Sequence, residues 1–169
     1  ITMMDKNLWA SVAGTWEDSY GNYYQWWWTT GFEYSQSTSD AITKSWFVEN
    51  NNTWSTITAN IEDWWQGPCP DGYHVPTSGE WQDTLDMFVA LNPVCWLESH
   101  EQWGYVWAVR ASYLNAFKLP SAGYRTDMSS TVEFSGSKAN YWSSTAYGAK
   151  HAYYLYADSY SLKSQNWIF

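Results

Sequence analysis

A folded core for this chain has to be made largely of rings. Fifteen Trp and fourteen Tyr stand among its 169 residues, while Leu and Ile are scarce. Each buried indole N–H or phenol O–H needs a hydrogen-bond partner, so polar acceptors must be threaded through the interior. That requirement favours a loop-rich domain over a helical bundle, whose stripes need Leu-type residues at 3.6-residue spacing. The length supports one domain with a substantial core, residues 1–169.

Punctuation along the chain places the first firm element. Gly67-Pro68-Cys69-Pro70-Asp71-Gly72 is a cluster of breakers, and YHVPTSGEWQDTLDMFVALN follows it. Thr77 is a good N-cap and Glu80, three residues on, completes a capping box. Trp81, Leu85 and Phe88 then share one helical face, and Pro93 ends the helix. A second, short helix is expected at Arg110–Phe117, whereas Trp103 and Trp107 fit either a helical face or an irregular insertion. Near the N-terminus, Asp18–Asn22 reads as a hairpin turn between two aromatic runs. Val132 and Phe134 suggest a short strand, and AYYLYAD (Ala152–Asp158) a half-buried one.

Charge removes several function classes. The net charge is −9, and it is uneven: fourteen acids face two bases before Gln102, but three acids face six bases after it. Six scattered bases do not make the basic stripe of a nucleic-acid binder. No apolar run reaches the roughly 18 residues that cross a bilayer, so no membrane insertion is expected in these residues. Cys69 and Cys95 permit one disulfide without requiring it.

The last thirty residues differ in kind. Asn140–Phe169 is dominated by Tyr, Ser, Ala and Gly, with single Lys, His and Asp residues between them. Tyr offers a rigid surface with a polar tip, and Ser, Gly and Asn add adaptable polar contacts, the mixture used by antibody paratopes. The plainer reading is that aromatic alternation simply marks strands. Both hold if one face packs and the other is presented.

Three pieces, CPDGYHVPTSGEW (Cys69–Trp81), FKLPSAGYR (Phe117–Arg125) and ANYWSST (Ala139–Thr145), together resemble the Fibrobacter major paralogous domain group, a branch of the C-type lectin fold. The Tyr/Ser-rich tail after YWSST resembles the variable proteins of diversity-generating retroelements. The resemblance covers roughly Cys69–Phe169. It implies an α+β, C-type lectin-like domain, loop-rich, with short antiparallel strands and about two helices, and a display segment at 141–169. It further implies that Tyr147, Ala149, Lys150, His151, Tyr154, Tyr156, Asp158, Tyr160, Lys163 and Trp167 face solvent and bind a protein or glycan ligand. Trp142, Ser143, Ser144 and Leu155 would be fixed scaffold. A cell-surface or virion location follows from the same resemblance. Members of the group continue into a final strand whose Cys can pair with that of the CPDG-type motif; this sequence stops at Phe169, so either that strand lies outside these residues or this member closes differently, and a Cys69–Cys95 pairing is the less favoured alternative.

Competing chemistry is thin. The sugar-binding motifs of calcium-dependent lectins (EPN or QPD, then WND) are missing, and clustered oxygen ligands for calcium are not evident. Cys69, between two prolines and near Asp71, is poorly set for thiolate activation. Glu62-Asp63 beside Trp64-Trp65 is the one cluster suggestive of a glycosidase. His74, His100 and His151 lack metal-ligand spacing, and His74 is expected to be a packed scaffold residue. The Trp26–Trp28 run fits core packing better than sugar stacking. No cofactor, metal or catalytic residue is therefore expected. The reading is a diversified ligand-binding module; the alternative is a surface glycan-binding or structural module of the same fold that was never diversified. Replacing Tyr154 and Tyr156 with Ala is expected to spare stability.

Overall fold

Thr77 starts the best-defined element of the computed structural model, which describes residues 3–8, 10–14, 17–24, 31–32, 67–92, 103–125, 131–147, 151–158 and 162–168; residues 31–32, 103–109, 151 and 163–168 are described through their backbone. The Thr77 backbone is extended, with φ −70° and ψ 165°. Its hydroxyl accepts from the Glu80 N–H at 3.1 Å, and the Glu80 carboxylate accepts from the Thr77 N–H at 2.8 Å. This reciprocal cap satisfies two otherwise unpaired donors and opens helix α1, Ser78–Leu91. Trp81, Thr84, Leu85 and Phe88 are its buried residues. Each large apolar side chain among them contributes about 1.5–3 kcal/mol by leaving water.

Helix α2 spans Trp103–Ala116, seven residues earlier than the sequence signals indicate. Its first half, WGYVWAV, is aromatic and β-branched with no cap signal, so neither propensity nor periodicity marks its start. Tyr113 on α2 is fully buried, and its ring meets Phe88 edge-on at 5.4 Å. The Tyr113 hydroxyl is 2.6 Å from the Thr84 hydroxyl, which itself donates to the Trp81 carbonyl at 2.7 Å. Burial pushes the Tyr113 phenol up to about 12, so it stays a proton donor in this chain. The ring-built core is satisfied here through side-chain hydroxyls.

α2 stops in a Schellman turn. The Leu119 N–H reaches the Leu114 carbonyl at 2.8 Å, and the Lys118 N–H reaches that of Asn115 at 3.2 Å. Lys118 takes φ 53°, the left-handed conformation usually given to Gly. Leu114 and Leu119 are both buried, supplying the apolar contact that accompanies the turn. Beyond it, the Gly123 N–H donates to the Lys138 carbonyl at 2.8 Å. Gly123 has φ 73°, and a Cβ there would strike the carbonyl oxygen of Glu133, so only Gly fits.

The sheet that follows is antiparallel in the order β3 (Ala139–Ala146), β4 (His151–Ala157), β5 (Leu162–Ile168). α1 packs against all three strands. One core cluster joins Trp81, Leu85, Phe88, Tyr113, Leu114 and Leu119 to Ala139, Leu155 and Ala157. The described residues thus form an α+β arrangement of two helices and small antiparallel sheets, and none of the helices is long and apolar enough to cross a membrane.

Nearer the N-terminus, Glu17–Ser19 form a short 3-10 turn. β1 (Tyr23–Tyr24) pairs antiparallel with β2 (Gly31–Phe32). Among the described residues the second aromatic run pairs forward with Gly31–Phe32; Thr15 and Trp16, on the other side of Asp18–Asn22, lie outside the described residues. Trp142 ties this region to the sheet, its indole N–H donating to the Tyr24 carbonyl at 3.0 Å. Val132 and Phe134 do not form a strand; an isolated bridge joins Tyr124 to Glu133, and Phe134 turns to φ 57°. Glu62, Asp63, Cys95, His100 and Trp26–Trp28 lie outside the described residues.

Candidate binding face

β3 carries a bulge at the motif that sequence reading singled out. Trp142 pairs with Tyr154 and Ala146 with Ala152, so Ser143, Ser144 and Thr145 oppose Tyr153 alone. The extra residues bend the strand toward the cap of α1. There the Ser144 N–H donates to the Pro76 carbonyl at 2.9 Å, and the Ser78 N–H donates to the Thr145 hydroxyl at 2.9 Å. Ser143 and Ser144 are fully buried, as expected of scaffold. Two of the three quoted motifs, VPTSGEW and YWSST, are therefore one joint in space.

Pairing register sorts the Tyr-rich segment into two rows. Ala139, Tyr141, Leu155, Ala157 and Leu162 occupy one row, on the side of the helical core. Asn140, Trp142, Ala152, Tyr154 and Tyr156 occupy the other. In that second row Lys163 pairs with Tyr156, Gln165 with Tyr154 and Trp167 with Ala152. Four expected binding residues, Tyr154, Tyr156, Lys163 and Trp167, thus share register on the row away from the core.

Exposure corrects part of that expectation. Tyr154 is only 4% exposed. Its ring is gripped edge-on by Trp142 at 6.1 Å and by Tyr156 at 6.0 Å. Burial pushes its phenol up to about 12, with the charges of Tyr124 and Asp158 adding to the effect. Tyr154 is a packed residue of a second aromatic cluster rather than an outward ring. Tyr156 is half-buried and donates a hydrogen bond to Asp158 Oδ2. Burial and this carboxylate together raise the Tyr156 phenol well above its ordinary range.

Tyr147 is open to solvent. It lies just past β3, 47% exposed, and meets Tyr153 edge-on at 5.2 Å and 77°. His151 opens β4 opposite Ile168. Ala149, Lys150 and Tyr160 lie outside the described residues. His74, expected to be packed, is instead exposed and paired with Glu80 at 2.9 Å.

Sequence reading missed several features of this region. Tyr153 was visible in the same aromatic run, but the bulge that leaves it opposite three residues was not. Phe134 is 48% exposed, stacked on Tyr124 at 5.5 Å and capped by the Lys138 ammonium 3.8 Å from its centroid. Its left-handed backbone is held by three donors on one carbonyl: Ser137 N–H, Lys138 N–H and the Ser137 hydroxyl. Arg110, read only as the start of a short helix, is buried and donates through Nη2 to the Ser121 hydroxyl at 2.9 Å. Burial also pushes the Cys69 thiol up, opposite to nucleophile activation. Among the described residues no group of three His, Cys, Asp or Glu is placed to hold a metal ion. Compared with protein-family models, with curated proteins and with solved structures, the chain matches none.

Proposed function

We propose that the chain is a ligand-binding module of C-type lectin-like type, whose C-terminal Tyr/Ser-rich segment is a diversified receptor or adhesin surface recognising a protein ligand. The observation that carries this reading is the Tyr147–Tyr153 pair. A large ring nearly half open to solvent is held by an edge contact at the tip of the β3–β4 hairpin. A ring fixed before the ligand arrives loses little freedom on binding, which is how aromatic anchors dominate interfaces. The joint between VPTSGEW and YWSST supports the lectin-like arrangement, because it fixes β3 on the α1 cap while leaving the hairpin tip to vary. No catalytic step is assigned to any residue.

Sibling copies of the coding region test the proposal. Substitutions should concentrate at Tyr147, Ala149, Lys150, His151, Tyr156, Tyr160, Lys163 and Trp167, in codons matching adenines of a nearby template repeat. Trp142, Ser143, Ser144 and Leu155 should not vary, and buried Tyr154 should keep a large ring. Substitutions spread evenly over 141–169, with no template repeat or reverse transcriptase nearby, would favour the undiversified glycan-binding or structural module instead.

A further inference from the structure

Phe134 stands in the turn that leads into β3, 48% exposed and with its backbone at φ 57°. A bulky residue pays a steric cost in that left-handed region, where Gly pays none. The turn is nevertheless tightly held. The Phe134 carbonyl accepts from the Ser137 N–H at 3.1 Å, the Lys138 N–H at 3.0 Å and the Ser137 hydroxyl at 2.9 Å. The Gly136 N–H donates to the Ser121 carbonyl at 2.7 Å, and Tyr124 and Glu133 exchange main-chain bonds at 3.0 and 2.8 Å. The ring is held from one side. The Lys138 ammonium lies 3.8 Å from its centroid and 5.7 Å from that of Tyr124, and the two rings are 5.5 Å apart. Those separations make an acute angle at Phe134, so Tyr124 does not stand opposite the ammonium. The ring face turned away from Lys138 is covered by neither group. The residues that follow, Ser135, Gly136 and Ser137, are all exposed.

We infer that the open face of Phe134 is a stacking platform for a hexopyranoside, a sugar-binding site separate from the Tyr-rich segment. A β-glucoside or β-galactoside carries a run of C–H groups on one ring face and hydroxyls around its rim. The C–H groups suit the negative face of an aromatic ring. The hydroxyls need polar partners at the edge of the platform. The Ser137 hydroxyl gives its proton to the Phe134 carbonyl and retains acceptor capacity for a sugar O–H. A protein side chain fits this place less well, because anchoring rings at protein interfaces sit within further contacts that exclude water. Here the next three residues are Ser, Gly and Ser. A ring fixed in advance by Lys138 and Tyr124 also loses little freedom when a sugar settles on it. The platform lies outside 141–169, so its failure leaves the proposed protein-binding surface untouched, and the reverse also holds.

Carbon-13 NMR of the full chain with labelled Phe reads the platform directly, with methyl β-D-galactopyranoside and methyl β-D-glucopyranoside as probes at millimolar concentration. The Phe134 ring resonances, assigned as those missing from Phe134→Tyr, should shift and saturate with at least one of the two glycosides. Saturation passed from the protein to that glycoside should fall on its C–H face. Phe134→Tyr keeps an aromatic face and should retain this transfer, whereas Phe134→Gly, which suits the left-handed backbone, should fold and lose it. N-acetyl-leucine amide, standing in for a protein side chain, should leave the Phe134 resonances unmoved. Resonances that ignore both glycosides overturn the inference, and so does full transfer to the glycoside in Phe134→Gly. An equal response to the leucine amide overturns it in favour of an apolar protein contact. If Phe134→Gly does not fold, the unaltered protein and Phe134→Tyr decide: absence of the sugar response in either one defeats the platform.

Discussion

The indole N–H of Trp81 donates to the main-chain carbonyl of Trp142 at 3.1 Å. One tryptophan stands in the first turn of α1 and the other begins the β3 bulge, so this bond closes the joint between helix and sheet. The Trp142 indole passes the connection on to Tyr24 in β1. Rings in this protein therefore do two tasks at once: they fill volume and carry the donors that satisfy carbonyls left over by irregular backbone.

Acid should loosen this joint first, through Glu80. Burial alone would push its carboxyl up, but the Thr77 N–H, the His74 ring and the Thr77 hydroxyl outweigh burial and leave it below its ordinary range. A carboxyl lowered by folding contributes stability above its unfolded value, near 4.3, and that stability is lost as pH falls through the folded value. Glu80→Gln keeps an acceptor for the cap and removes the titration. Urea midpoints measured from pH 6 to pH 3 should therefore fall more steeply for the unaltered protein than for Glu80→Gln. Parallel curves would show that the capping carboxylate has no linkage to folding.

Lys118 offers the opposite kind of change. At φ 53° its side chain pays a steric cost that Gly does not. The greater freedom of Gly in the unfolded chain offsets part of the gain. Lys118→Gly should stabilise by about 0.5–1 kcal/mol, whereas Lys118→Ala, which retains a Cβ, should not. Denaturant unfolding monitored by the many Trp residues measures both. A destabilised Lys118→Gly would mean that Lys118 makes a compensating contact.

How much was legible follows from the range of each signal. The α1 cap is written within four residues, Thr77 to Glu80, and its buried face within eight, so sequence suffices. The AYYLYAD strand is equally local. α2 was half legible, because Val, Trp and Tyr in its first half are poor helix formers held in place by tertiary context. The β1–β2 pairing was not anticipated, because its partner, Gly31–Phe32, lies beyond the turn signal at Asp18–Asn22. Within the candidate site, period-two alternation separates the rows correctly but cannot say what covers the second row. That covering comes from Trp142 and Tyr156, with Tyr24 anchoring the Trp142 indole, contacts set by a bulge and by chain more than a hundred residues away. The burial of Tyr154 between these rings argues against the expectation that it can be removed without penalty.

The two tyrosines at opposite ends of this reading give the last prediction. Tyr154 is 4% exposed between Trp142 and Tyr156, whereas Tyr147 is 47% exposed and touches Tyr153 by its edge. Truncating a buried ring removes its transfer energy and leaves a cavity, so Tyr154→Ala should cost about 3–5 kcal/mol. Tyr147→Ala loses little more than one ring contact at the surface and should cost about 0.5–1 kcal/mol. Tyr154→Phe should fall between them, because it keeps the ring packing. Guanidinium unfolding curves of the three variants rank them directly. Equal losses at positions 147 and 154 would erase the distinction between a packed row and a presented tip, and with it the assignment of Tyr147 as a displayed anchor.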